Sequence, residues 1–104
     1  MYAGYVSVSP TKRLFYWMVE AAVSPDTAPL ILWTNGGPGC SGISGGLMSE
    51  FGPFFPNSDG SPTLTPNSWT WTQNANVIFI EQVRRVGVQR SAAAAAALVF
   101  GPLR

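Results

Sequence analysis

Asn35-Gly36-Gly37-Pro38-Gly39-Cys40-Ser41 follows directly on the apolar run Leu30-Ile31-Leu32-Trp33. A buried strand that breaks into a glycine turn and then opens a helix aims several backbone N–H groups at one point. Proteins hold an oxyanion or a carboxylate in this way. The glycines permit positive φ and a close approach of the backbone to a ligand, while Pro38 fixes one φ and removes a competing donor.

Two rival patterns overlap the same stretch. Gly37-Pro38-Gly39-Cys40-Ser41-Gly42 satisfies G-x-G-x-x-G between a strand and a helix, the fingerprint of a dinucleotide-binding module. That module needs a carboxylate at the end of the next strand, about 20 residues on. Asp59 stands near that distance but in the turn Asn57-Ser58-Asp59-Gly60, and Glu81 is too far. No Lys follows the glycines, so the turn is not a phosphate-binding P-loop. Gly42-Ile43-Ser44-Gly45-Gly46 satisfies G-x-S-x-G, yet a nucleophile elbow places its Ser at a sharp strand-to-helix turn. The preceding strand ends near Thr34, so Ser44 is expected inside the helix and not as a nucleophile.

No base stands ready to activate a serine. The 104 residues contain 0 His, so a Ser-His-Asp triad cannot be assembled from them. Cys40 is the 1 cysteine; it cannot close a disulfide within the chain and has no His to make it a nucleophile. On its residues alone, Cys40 reads either as a disulfide candidate whose partner is absent or as a small buried thiol.

The elements that must position the turn follow from pattern. Residues 4–8 and 13–20 read as strands about the turn Ser9-Pro10-Thr11-Lys12, an antiparallel hairpin. Ser24-Pro25-Asp26-Thr27-Ala28-Pro29 is a loop, and residues 30–34 suit a strand buried on both faces. Ser41 caps a short helix reaching about Phe51. Residues 52–74, rich in Pro, Asn, Ser and Gly, read as a long surface loop packed down by Trp69 and Trp71, and Asn76 to Glu81 as a further strand.

Composition narrows the class. A hydrophobic share of 46% with 12% aromatic excludes a disordered segment, and only 11% is charged, against roughly 25% in ordinary domains. That deficit suits the inner part of a larger α/β domain. A net charge of +1 without a basic aromatic stripe argues against nucleic acid and a membrane surface. The apolar run Ala92 to Phe100 is far short of the ~20 residues of a bilayer span, and no cationic or apolar leader precedes Tyr2-Ala3-Gly4-Tyr5.

Several linked blocks resemble the serine carboxypeptidases of the α/β-hydrolase superfamily. Gly4-Tyr5-Val6-Ser7-Val8 with Leu14-Phe15-Tyr16-Trp17-Met18-Val19-Glu20 is similar to their N-terminal strand pair. Pro29 to Asn35 with its glycine run is similar to their most recognisable signature. Glu50-Phe51-Gly52-Pro53-Phe54, then Asn67-Ser68-Trp69, then Asn74 to Glu81, match later blocks in order. The resemblance implies an α/β fold: the N-terminal part of an α/β-hydrolase sheet, with an antiparallel hairpin, a strand-turn-helix and a further strand, incomplete. It implies residues 1–82 as that portion and 83–104 as an aberrant or lineage-specific tail.

It also implies roles. Gly37 would donate its backbone N–H to the oxyanion of a tetrahedral intermediate. Asn35 and Gly36 would hydrogen-bond the substrate's C-terminal carboxylate, and Glu50, when protonated, would help bind it together with a second acid. The Asn35 to Glu50 spacing is one residue longer than the family's, with Gly45-Gly46 the expected insertion. Trp33 would be core bordering the site, and Glu81 equally structural or functional. Cys40 would pair with a downstream cysteine. The implied substrate is a peptide with a free C-terminus, and no cofactor or metal is called for. The implied location is the secretory pathway, vacuole, lysosome or extracellular space. Lacking the triad, the chain is expected to be inactive alone; the alternatives are an acyltransferase-type member or a non-catalytic binding protein.

After Gln82 the character changes: all 5 acidic residues lie at or before Glu81, whereas Arg84, Arg85, Arg90 and Arg104 of the 6 basic ones follow. Where the family continues with a Pro-Ala-Gly-Val-Gly-Phe-Ser type block, this chain has Val83-Arg84-Arg85-Val86-Gly87-Val88-Gln89-Arg90-Ser91. One free choice of codons for those residues, read one base later, encodes Ser-Ala-Gly-Ser-Gly-Phe-Ser-Ala. A frameshift near residue 83 is the expectation, with an Ala-rich helix over Ser91–Phe100 as its rival.

Overall fold

The computed structural model describes residues 1–37 and 39–82, together with the backbone of residues 96–102. Strands β1 (Tyr2–Ser9) and β2 (Lys12–Val19) form the expected antiparallel hairpin, with β1 longer than its alternation suggests and β2 displaced by one residue. The apolar run after the Pro-containing loop is β3 (Pro29–Thr34). Helix α1 (Gly42–Glu50) follows the glycine turn. Short strands β4 (Phe54–Pro56) and β5 (Leu64–Pro66) and one 3₁₀ turn (Trp71–Gln73) lead to β6 (Asn76–Glu81). A last strand, β7, runs from Ala96 to Pro102.

The main sheet has the order β1-β2-β6-β3-β7. Strand β6 lies antiparallel to β2 and parallel to β3. That parallel pairing places the C-terminal ends of β3 and β6 at one sheet edge. The glycine turn and the end of β6 therefore meet, although Ser41 and Glu81 are 40 residues apart.

Strand alternation sorts the side chains. Trp17, Val19, Ile31, Trp33, Val77 and Phe79 share one face, onto which Ile43, Leu47 and Met48 of α1 and the following Phe51 pack. Val77 and Phe79 are 0% exposed, as residues of a central strand covered by a helix should be. On the opposite face Met18, Ile78 and Leu32 stand in register and remain half-buried. Asn76, 1% exposed, fixes the route into β3: its Oδ1 accepts from the Ala21 N–H at 2.9 Å, and its Nδ2 donates to the carbonyls of Pro25 at 2.9 Å and Ala28 at 3.3 Å.

Two expectations change. The 52–74 stretch is not an unstructured loop: β4 and β5 pair antiparallel, with Asn57 bridging to Ser61, Thr63 and Thr65 across the tip. Trp71 packs this segment down, but Trp69 is 88% exposed and does not. The alternative of an Ala-rich helix over Ser91–Phe100 fails for Ala96–Phe100, which pair with β3 as antiparallel strand. A β-branched and aromatic run, Val99-Phe100, beside an open strand edge outweighs the alanines' helix preference there. The reading of 83–95 as out of frame, and Ser91 to Ala95 of that helix, lie outside the described residues.

Candidate functional site

The turn between β3 and α1 is the candidate site, and both its flanks are anchored. At its start, strand periodicity puts Trp33 and Asn35 on one face. The buried Trp33 indole Nε1–H donates to Asn35 Oδ1 at 2.7 Å. That bond occupies the amide oxygen and fixes which way the group points, leaving Nδ2 as the donor. Trp33 is held edge-on by Phe51 at 4.6 Å and Trp71 at 5.4 Å between ring centroids. It is core, as its apolar run implies, and it also orients Asn35.

Gly37 has φ 150°, and a Cβ there would lie 2.8 Å from the Gly39 nitrogen. Only glycine suits that position. Among the described residues, neither Gly36 nor Gly37 commits its N–H to a protein acceptor. Gly37 is exposed and Gly36 half-buried, so both donors can meet a ligand. The role expected of Pro38 lies outside the described residues.

At the far end, Ser41 caps α1. Its Oγ accepts from the N–H groups of Ser44 at 2.9 Å and Ile43 at 3.2 Å, and donates to Glu81 Oε2. Ser44 lies within α1 and is exposed, away from any elbow geometry.

Helix α1 is wound wider than an α-helix, with the Phe51 N–H donating to the Gly46 carbonyl, an i→i+5 bond, at 2.9 Å. Its glycines sit against the site. A Cβ on Gly45 would lie 2.6 Å from Asn35 Nδ2, and one on Gly46 2.5 Å from Trp33 Nε1. Gly45-Gly46, expected as a mere insertion, is therefore the contact that lets the helix close over Asn35. An i→i+5 turn takes one residue more than the i→i+4 turn of an α-helix. Glu50 ends α1 five positions past Gly45, one wide turn along from the Asn35 contact, with its side chain in solvent.

Cys40 is exposed and free, which corrects the reading of it as a buried thiol. A turn that projects from the sheet edge leaves its last residues outside the core. Missed by the sequence reading were the Trp33–Asn35 bond and the Ser41–Glu81 pair. The first was signalled by i, i+2 spacing on a strand; the second is a contact between distant segments with no local signal. Among the described residues no group of three His, Cys, Asp or Glu could hold a metal, and no helix is long and apolar enough to cross a membrane.

A mixed sheet whose third strand turns through glycines into a helix is compatible with part of an α/β-hydrolase. The chain belongs to the serine carboxypeptidase family, whose family model matches residues 1–95. It is 48% identical over 88 residues to serine carboxypeptidase-like 34 of Arabidopsis thaliana, covering 83% of this chain and 18% of that protein. To serine carboxypeptidase-like 28 of the same plant it is 43% identical over 105 aligned positions, covering 99% of this chain and 22% of the relative. Serine carboxypeptidase 24, also from Arabidopsis thaliana, is 47% identical over 89 residues, covering 83% of this chain and 19% of its own length. The chain thus spans about a fifth of the length of the relatives it matches.

Proposed function

We propose that residues 1–82 supply the carboxylate-binding and oxyanion part of a serine carboxypeptidase site, for a reaction that releases C-terminal residues from peptides through an acyl-enzyme. The observation that carries this reading is the turn itself. Asn35 has its amide oxygen taken by Trp33, which leaves Nδ2 as its donor, and the Gly36 and Gly37 N–H groups beside it take no protein acceptor among the described residues.

In this reading Gly37 donates to the oxyanion, where loss of one such donor costs about 2.7–4 kcal/mol of transition-state stabilisation. Asn35 and Gly36 donate to the substrate's terminal carboxylate, which makes a free C-terminus the requirement. Glu50, at the end of α1, is assigned to the same carboxylate as an acid. A carboxyl facing a carboxylate binds it only with a shared proton, which favours binding at acidic pH. The nucleophile, base and second acid come from elsewhere than these residues, and no cofactor enters. A secretory, vacuolar, lysosomal or extracellular setting goes with the reading.

The test is a titration of isotopically labelled chain with an N-acetylated dipeptide bearing a free carboxylate, against the same dipeptide as its C-terminal amide, at mildly acidic pH. The free acid is expected to shift the Gly36 and Gly37 amides and the Asn35 side-chain amide, and the amide derivative to leave them in place. Equal shifts from both, or none from the free acid, would overturn the assignment.

A further inference from the structure

We propose that Glu81 is a positioning residue for the glycine turn, acting through Ser41, in a clamp formed by Ser41-Gly42 on one side and Ile80-Glu81 on the other. The inference rests on the turn being the ligand site for its functional meaning, but its geometry stands independently.

A serine hydroxyl has one proton to give and two lone pairs to receive with. Ser41 uses all of them: the proton goes to Glu81 Oε2, and the lone pairs accept the Ile43 and Ser44 N–H groups. The carboxylate therefore decides which way the hydroxyl points. With the proton drawn toward Glu81, both lone pairs are left facing the first turn of α1; without that acceptor the hydroxyl can rotate and lose a cap bond.

The next residue reinforces the contact. Gly42 lies so close to β6 that a Cβ would come within 1.9 Å of the Ile80 carbonyl oxygen. Two consecutive residues at the end of the turn thus dock on two consecutive residues at the end of β6. The main chain of Glu81 is itself fixed in the sheet, paired with Phe15 of β2. At the other end of the turn, Trp33 holds Asn35. The donors at Gly36 and Gly37 are suspended between these two anchors, so the direction in which they aim depends on both. A negative carboxylate beside the N-terminus of α1 adds a favourable charge–dipole term, but hydrogen bonding to Ser41 is what transmits position.

The experiment compares Glu81→Ala, Glu81→Gln, Ser41→Ala and Ser41→Thr with the unaltered 104-residue chain by amide resonances. Glu81→Ala and Ser41→Ala are expected to shift Gly36, Gly37 and Gly39 more than Val77 and Phe79 in the sheet. Glu81→Gln and Ser41→Thr, which keep an acceptor and a hydroxyl, are expected to return those glycines toward their original positions. Glycine shifts no larger than those of Val77 and Phe79 would overturn the clamp by showing general loosening. Glu81→Gln behaving like Glu81→Ala would overturn it by showing that charge alone matters. If the glycines move as expected while the free-acid dipeptide leaves the unaltered chain unshifted, the clamp stands and the carboxypeptidase reading falls.

Discussion

One side-chain hydrogen bond decides whether Asn35 can serve as a donor. An asparagine amide can flip, presenting either its oxygen or its nitrogen to a ligand. The Trp33 indole, itself buried and with no acceptor capacity, removes that choice by binding Oδ1 at 2.7 Å. Trp33→Phe keeps an aromatic ring between Phe51 and Trp71 but deletes the N–H. A hydrogen bond of this kind is worth about 1 kcal/mol, so free-acid dipeptide binding should weaken roughly fivefold. Titration of the two forms checks it, and the chain should still fold, as judged by retained sheet amide dispersion. Asn35 and the glycines were legible in the sequence because a turn after an apolar strand has a local signature. Their supports were not. Glu81 reaches Ser41 only because β6 inserts beside β3, a pairing that no local pattern announces.

At the level of elements, the segment after α1 acts as a strap on the helix end that carries Glu50. Asn67, 6% exposed, donates from Nδ2 to the Gly52 carbonyl at 2.9 Å and the Glu50 carbonyl at 3.3 Å. Its own N–H reaches the Pro53 carbonyl at 2.8 Å, and Thr70 Oγ1 donates to the Phe51 carbonyl at 2.8 Å. Asn67→Ala strands the buried Gly52 carbonyl, which costs about 1–3 kcal/mol when left unsatisfied. Denaturant unfolding followed by Trp fluorescence should show a loss of that order, with the midpoint lowered. The strap was read from sequence only as a loop because β4 and β5 are three residues each, and both end in proline. Strand alternation needs more length than that to show. The wide winding of α1 was equally silent: glycine-rich sequence carries no helical period, and only contact with Trp33 and Asn35 gives Gly45 and Gly46 their reason. By contrast β1, β2, β3 and β6 were legible to within a few residues, since each is a long alternating or continuous apolar run.

At the scale of the whole molecule, among the described residues, the sheet has one face covered by α1 and one not. An open face fits the half-buried Met18, Ile78 and Leu32 opposite α1 and the exposed Tyr2, Tyr5, Val6 and Val8 of β1. It also gives the 11% charged content a physical sense, since a sheet built to be covered has little use for charge. Relatives about five times longer share this segment, so one of them offers a setting in which its chemistry can be measured.

The most direct measurement replaces the matching stretch of serine carboxypeptidase 24 with residues 1–82 of this chain and assays release of C-terminal residues from a peptide. With the parent enzyme as reference, the chimera is expected to keep activity within about tenfold, and Asn35→Ala within it to lose activity on free acids. A folded chimera whose rate falls by about 10²–10³ or more, the loss expected when an oxyanion donor is missing, would contradict the account.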